Sequence, residues 1–457
     1  MRPAAAVLAL SALLAAGCSG SSAARTDDPT RAPAPPVSVD PSASSRPAAL
    51  DWPTYHGTPD RAGAAPRALR GPLRQAWSMH LDAAMYAQPI VAGGVVVAAT
   101  ENNSVYAIEL TTGRLHWRKH LEAPARLDNL PCGNIDPSGI TGTPAYDATT
   151  RSVFVVTESS DARHILHALD VSTGQQRWQR DLDVATGRDR HAEQQRAALL
   201  VTAGKVFVAF GGRFGDCGNY VGYIAAVAVT GSGPVDHYAV PTAREAGMWA
   251  AAGPVVGPGG DVYVASGNGA EVGGSYDGSD SVIRLSTSLQ RKALFAPNSW
   301  REDNAQDLDL GAMAPVPVGN RIVIAGKRGT VFLLAPDLGG IGGELAHLDG
   351  CAGYGGAAVS GTTVLMPCRD GVRALAVKGD TLRWLWQRDT VSGSPAVGGT
   401  AGYAFDDGDL VELSLATGRT INRVHVGEVT RFATPAPVAN YVLVGTTSGV
   451  MAIVGAA

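Results

Sequence analysis

The chain has 457 residues with a formal net charge of −4, 17% charged residues, 56 glycines and 28 prolines. A slightly acidic balance without a basic run excludes general nucleic-acid binding. Much Gly, few charges and many short β-branched runs point to a turn-rich all-β chain, and length alone would allow two or three domains.

The chain opens on Arg2 and an apolar run, Ala4 to Leu14, too short to span a bilayer. LLAAGCSG follows, with Cys18 after Ala-Gly. This segment, residues 1–18, resembles a bacterial lipoprotein signal, although Ala15 stands where that family prefers Leu. The resemblance implies cleavage before Cys18, its lipidation, and a membrane-anchored protein outside the cytoplasm. Residues 19–50 are rich in Ser, Ala and Pro, bury too little apolar surface to fold, and are expected to be a flexible tether. The folded body is expected to span 51–457, starting at DWPTYHGTPDRAG.

A repeat then runs to the C-terminus. Short strands are expected at VVVAA (95–99), VFVV (153–156), VFVAF (206–210), VYVA (262–265), RIVIA (321–325), TVLM (363–366), GYAF (402–405) and YVLV (441–444). Most follow a small-residue-plus-Pro entry, such as QPIV at 88–91 or TPAY at 143–146, and each precedes a second strand, such as VYAIEL or ILHALDV. Thr-Gly pairs at 112–113, 173–174 and 417–418 supply turns into an outer strand, two of which carry Trp117 and Trp178. Eight units spaced by about 37 to 61 residues have the period of propeller blades. A four-stranded blade cannot hide both faces alone, so the blades must stack around an axis. The fold class is therefore all-β, an eight-bladed β-propeller of four-stranded blades. The eighth unit lacks an outer strand, and LRQAW at 73–77 is expected to supply it and close the ring.

Besides Cys18 there are four cysteines, and an even count in an exported chain implies two disulfides. Three pairings are open. Cys351 and Cys368 flank one expected strand pair and are expected to join, which leaves Cys132 with Cys217. No Cys-x-x-Cys supports a zinc or haem site, and no nucleophile-elbow, zincin or P-loop motif is present.

The pattern HALDVSTGQQRW at 167–178 resembles the repeat of quinoprotein-type (pyrroloquinoline-quinone-like) β-propellers. That fold serves quinone-dependent dehydrogenases and cofactor-free scaffolds alike. Further stretches resemble the cofactor region of quinoprotein alcohol dehydrogenases. By that resemblance MWAAAGPVVGPGGDVYVASGNG (248–269) implies Trp249 as the floor under a quinone and Asn268 as a Ca²⁺ ligand. FGGRFGDCGNYVGYIAAV (210–227) implies Asp216 as a shorter substitute for a Glu ligand. FAPNSWREDNAQDLDLGAMAPV (295–316) implies Asp307 or Asp309 as general base, with Asp309 also on the metal, and AGKRGTVFLL (325–334) implies Lys327 over the reactive carbonyls. Such residue types suit the chemistry: oxygen ligands for a hard cation, a carboxylate for the alcohol proton and a cation for the developing oxyanion.

The adjacent-cysteine disulfide ring of that family is absent, and no haem motif follows. The leading expectation is thus a lipid-anchored binding or scaffolding module without a required cofactor. It would be monomeric, with the membrane and cell-envelope proteins as partners. The alternative is a PQQ- and Ca²⁺-dependent alcohol dehydrogenase. Convergence of Asp216, Asn268, Asp309 and Lys327 at one end of the central axis would favour the alternative.

Overall fold

A computed structural model describes residues 51–183 and 188–456. The expected signal segment, Cys18 and the expected tether lie outside the described residues. No helix among the described residues is long and apolar enough to cross a membrane.

Eight small sheets form the ring, one for each unit of the repeat. The first is Ile90–Ala92, Val95–Ala99, Ser104–Glu109 and Leu115–His120, ordered as they occur from the axis outward. Three sheets carry an extra short strand, so the plain four-stranded blade holds for five of the eight. Inner and middle strands are buried on both faces, whereas outer strands such as Leu115–His120 are largely exposed. The runs of Val, Ile and Ala therefore pack blade on blade, and the polar residues concentrate at the rim.

The ring closes as expected. Leu73–His80 pairs antiparallel with Gly449–Gly455, from Leu73 opposite Gly455 to His80 opposite Gly449. This outer strand carries a bulge between Gln75 and Trp77, and the same irregularity precedes Trp178. A bulge re-aims the side chain that follows it. Each indole then lies on the next blade. Trp77 packs on Gly113, Trp117 on Gly174, Trp178 on Gly231 and Trp386 on Gly418. The indole N–H donates to a carbonyl of that same blade, Trp117 to Val171 at 2.9 Å and Trp77 to Leu110 at 2.8 Å.

The stretch before the closing strand has a role with no counterpart in the repeat. Residues 52–65 cross the inner strands of five blades. Trp52 exchanges two backbone hydrogen bonds with Val91, and the carbonyls of Pro53, Pro59, Ala62 and Gly63 accept from Tyr146, Val256, Val359 and Val397. Arg61 is buried within this plug and donates to the carbonyls of Tyr55 and Leu199. Asp51, at its start, accepts from the amide of Gly94 in the turn between the first two strands. The plug thus enters from the end of the axis where inner strands turn outward.

Both expected disulfide pairs are present, Cys132–Cys217 and Cys351–Cys368. One short helix, Trp300–Gln306, was not anticipated.

Candidate functional site at the open end of the axis

At the other end of the axis, chain segments leading into the inner strands meet those leaving the second strands. The fourth and fifth blades supply the centre of this group. Asp309 precedes the fifth inner strand, Val316–Val318, and is buried. Its Oδ1 accepts from the backbone amide of Asn268 at 2.7 Å, and its Oδ2 lies 2.6 Å from Lys327 Nζ. Lys327 also reaches Asp307 Oδ1 at 2.6 Å, and its Nζ is 5.8 Å from the centre of the Trp249 ring. Gly267 permits this approach, because a Cβ there would fall 2.2 Å from Asp309 Oδ1.

Burial pushes the Asp309 carboxyl up to about 6, although Lys327 and the Asn268 amide pull against it. Burial disfavours the Lys327 charge, yet Asp309 and Asp307 outweigh it and hold the ammonium above its usual range. The pair is therefore a partly buried ion pair near neutral pH.

Asp307, Asp309, Lys327, Trp249 and Asn268 thus come together. Asp216 stands apart: it is exposed and accepts from the Tyr220 hydroxyl. A backbone path links it to the others, since Tyr220 accepts from the Glu245 amide and Asn268 from the Ala246 amide. Glu245 and Ala246 both have positive φ, 72° and 53°, a strained pair beside the group.

Several residues here carry no sequence signal. Asp280 lies behind Leu310, accepts its amide at 2.9 Å and leaves its other oxygen unpartnered among the described residues. Burial, reinforced by Asp309, raises its pKa well above the usual carboxylate value and so disfavours its charged form. Arg196 and Phe432 arrive from the third and eighth blades. The Arg196 guanidinium lies 4.4 Å from the Phe432 ring and 5.8 Å from the Trp249 ring, and the two rings meet edge-on at 6.4 Å. Arg431 lies 4.7 Å from the Tyr354 ring. The mouth is a collar of cations interleaved with aromatics.

A quinone and a calcium ion would make definite demands of this collar. A Ca²⁺ ion takes six to eight oxygens. Here both Asp309 oxygens are engaged by Lys327 and Asn268, Asn268 does so through its backbone, and Asp216 is turned to Tyr220. Beneath Arg196 and Phe432, a space lined also by Tyr55, Tyr86 and Thr141 amounts to about 10 Å³, room for roughly one water. In this arrangement Asp309 and Asp216 are committed to protein partners, and the space beneath Arg196 is too small for a tricyclic cofactor.

Comparison with known proteins agrees with the fold. Residues 74–272 match the family model described as outer membrane protein assembly factor BamB. Among solved structures, quinohemoprotein alcohol dehydrogenase ADHIIG from Pseudomonas putida HK5 is similar, with TM-score 0.71 and 15% identity over 89% of this chain and 81% of that chain. Quinohemoprotein alcohol dehydrogenase from Comamonas testosteroni gives 0.68 and 18% over 89% and 81%. BamB from Moraxella catarrhalis gives 0.57 and 18% over 84% and 98%. At these identities the likeness is one of fold. No curated protein matches the chain by sequence.

Proposed function

We propose that this PQQ-like β-propeller is a lipid-anchored binding module of the cell envelope, monomeric and without turnover of its own, working through the collar at the open end of its axis. One observation carries this reading: the carboxylate and the ammonium a quinone site would need are bonded to each other in the Asp309–Lys327 pair. What remains available at the mouth is Arg431, Tyr354, Phe432 and Arg196, groups that recognise a partner rather than transform one. The lipobox-like LLAAGCSG and the Ser/Pro/Ala stretch behind it support anchoring through Cys18 and a reach away from the membrane. The match of residues 74–272 to an assembly-factor family supports a partner in the envelope.

The decisive experiment is calorimetric titration of the protein with pyrroloquinoline quinone, with and without Ca²⁺. No heat from a folded sample is expected. Tight Ca²⁺-dependent binding, lost in Lys327→Ala, would overturn the reading in favour of the dehydrogenase. Alongside it, a photo-crosslinker at Arg431 should capture an envelope protein that one at Ile421, on an outer strand, does not. Labelling of the chain with a fatty acid should disappear in Cys18→Ser.

A further inference from the structure

Away from the axis, the edge between the second and third blades holds a buried polar cluster that the collar does not use. His164 begins the second blade's third strand, His164–Asp170, and is wholly buried. Asp183 lies just past that blade's outer strand, Gln176–Asp181. Glu193 is in a two-residue strand, Glu193–Gln194, paired to Gly211 and Gly212 of the third blade. One ligating atom from each of the three lies within 4.8 Å of the other two.

We propose that His164, Asp183 and Glu193 form a divalent-metal site of the zinc class between the second and third blades.

The imidazole is held from both sides. His164 Nδ1 lies 3.0 Å from Asp183 Oδ1, and the ring sits edge-on to Phe210 at 5.2 Å, which itself stacks on Tyr223 at 4.3 Å. A ligand so fixed loses little freedom when it binds an ion. The polar groups are under-used: His164 Nε2 and the Tyr223 hydroxyl are buried without a hydrogen-bond partner among the described residues. Buried polar atoms of this kind are rare and costly unless something satisfies them. Glu193 is 5% exposed and shares the site with a second carboxylate. Buried Glu193 and partly exposed Asp183 face one imidazole, with Arg188 the only other cation acting on Glu193 among the described residues, so the cluster either shares protons or holds a further cation. A metal would replace the proton between His164 and Asp183 and make both ligands.

The donor set selects the ion. One nitrogen and two carboxylate oxygens, with a fourth position for water, match Zn²⁺, with bonds near 2.0–2.2 Å. Ca²⁺ prefers an all-oxygen cage and finds too few oxygens. None of these residues belongs to the group around Asp309, so this inference and the proposed function fail separately.

The test uses the tag-free chain after chelator dialysis, titrated with ZnCl₂ and, separately, with CaCl₂. One equivalent of Zn²⁺ should bind in preference to Ca²⁺. Affinity should fall at least roughly tenfold in Glu193→Gln and in Asp183→Asn and stay unchanged in Asp309→Asn. Asp183 is partly exposed, so its variant should fold even if the Glu193 variant does not. Anomalous scattering at the zinc edge from wild-type crystals should place the ion between the three side chains. No binding, preference for Ca²⁺, or binding unaltered in the folded variants would overturn the site. So would an anomalous peak at an exposed pair such as His425 and Asp409.

Discussion

Trp117 lies flat on Gly174: a Cβ on that glycine would fall 2.6 Å from the indole, and the same glycine has φ 70°. Two unrelated demands therefore meet at one residue. The turn needs a positive φ, and the neighbouring blade needs the space.

Both sides of this contact should be sensitive. Gly174→Ala is expected to cost about 1–3 kcal/mol through backbone strain and overpacking. Trp117→Ala should cost about 2–4 kcal/mol, somewhat less than for a fully buried indole because Trp117 is half-buried. The double variant should cost less than the sum, because the strain from the added methyl disappears with the indole. Denaturant unfolding of the three proteins checks this.

The Lys327–Asp309 pair predicts a pH signature. An unfolded Asp titrates near 3.9, whereas in the fold Asp309 holds its proton up to about 6. Between those values the native state binds more protons, so the Asp309 contribution to stability falls as pH rises from about 4 to about 6 and is then level. Subtracting the Asp309→Asn melting curve isolates this from other groups. The difference in Tm, wild type minus variant, should decline across that window, and in Lys327→Met the decline should move to higher pH. The stabilisation due to Lys327 itself is lost only as pH rises past the usual lysine range, since its pKa is raised.

Removal of the plug's buried cation should release the plug before the blades. Arg61→Ala leaves the Tyr55 carbonyl without its donor and the Leu199 carbonyl with Thr54 alone, and should cost about 1–3 kcal/mol. Hydrogen exchange should show the amides of residues 52–63 losing protection while the inner strands keep theirs. Acid acts on the same element: burial lowers the His56 pKa to about 3. Its contribution is complete above the unfolded value near 6.5 and is lost as pH falls from there toward 3.

The two disulfides should contribute unequally. Cys132–Cys217 closes a separation of 85 residues and Cys351–Cys368 one of 17. By loop entropy, these correspond to about 4–5 and about 3 kcal/mol. Cys217→Ser should lower the denaturation midpoint more than Cys368→Ser.

How much of this could be read in advance follows from range. The strands at 95–99 or 441–444 were legible because alternation and flanking Pro and Gly are local signals. The closing strand was legible because the eighth unit lacked its partner and 73–77 ended in Trp. The plug was not: DWPTYHGTPDRAG has no period, and its partners lie up to 379 residues away, as Tyr55 and Thr434 show. At the mouth, Asp309, Lys327, Trp249 and Asn268 were found only by resemblance to a motif. Arg196 and Phe432 meet because segments of the third and eighth blades both reach the axis, a relation that no stretch of sequence expresses.

The closing sheet also sets a timetable. Its partners, Leu73 and Gly455, are about 380 residues apart, so the ring is incomplete until the strand at Gly449–Gly455 emerges. A chain of this kind cannot be finished blade by blade during synthesis. Its earliest and latest segments meet last, in a slow step of high contact order. A partly made chain would expose the Tyr441–Thr446 edge to pairing with other chains.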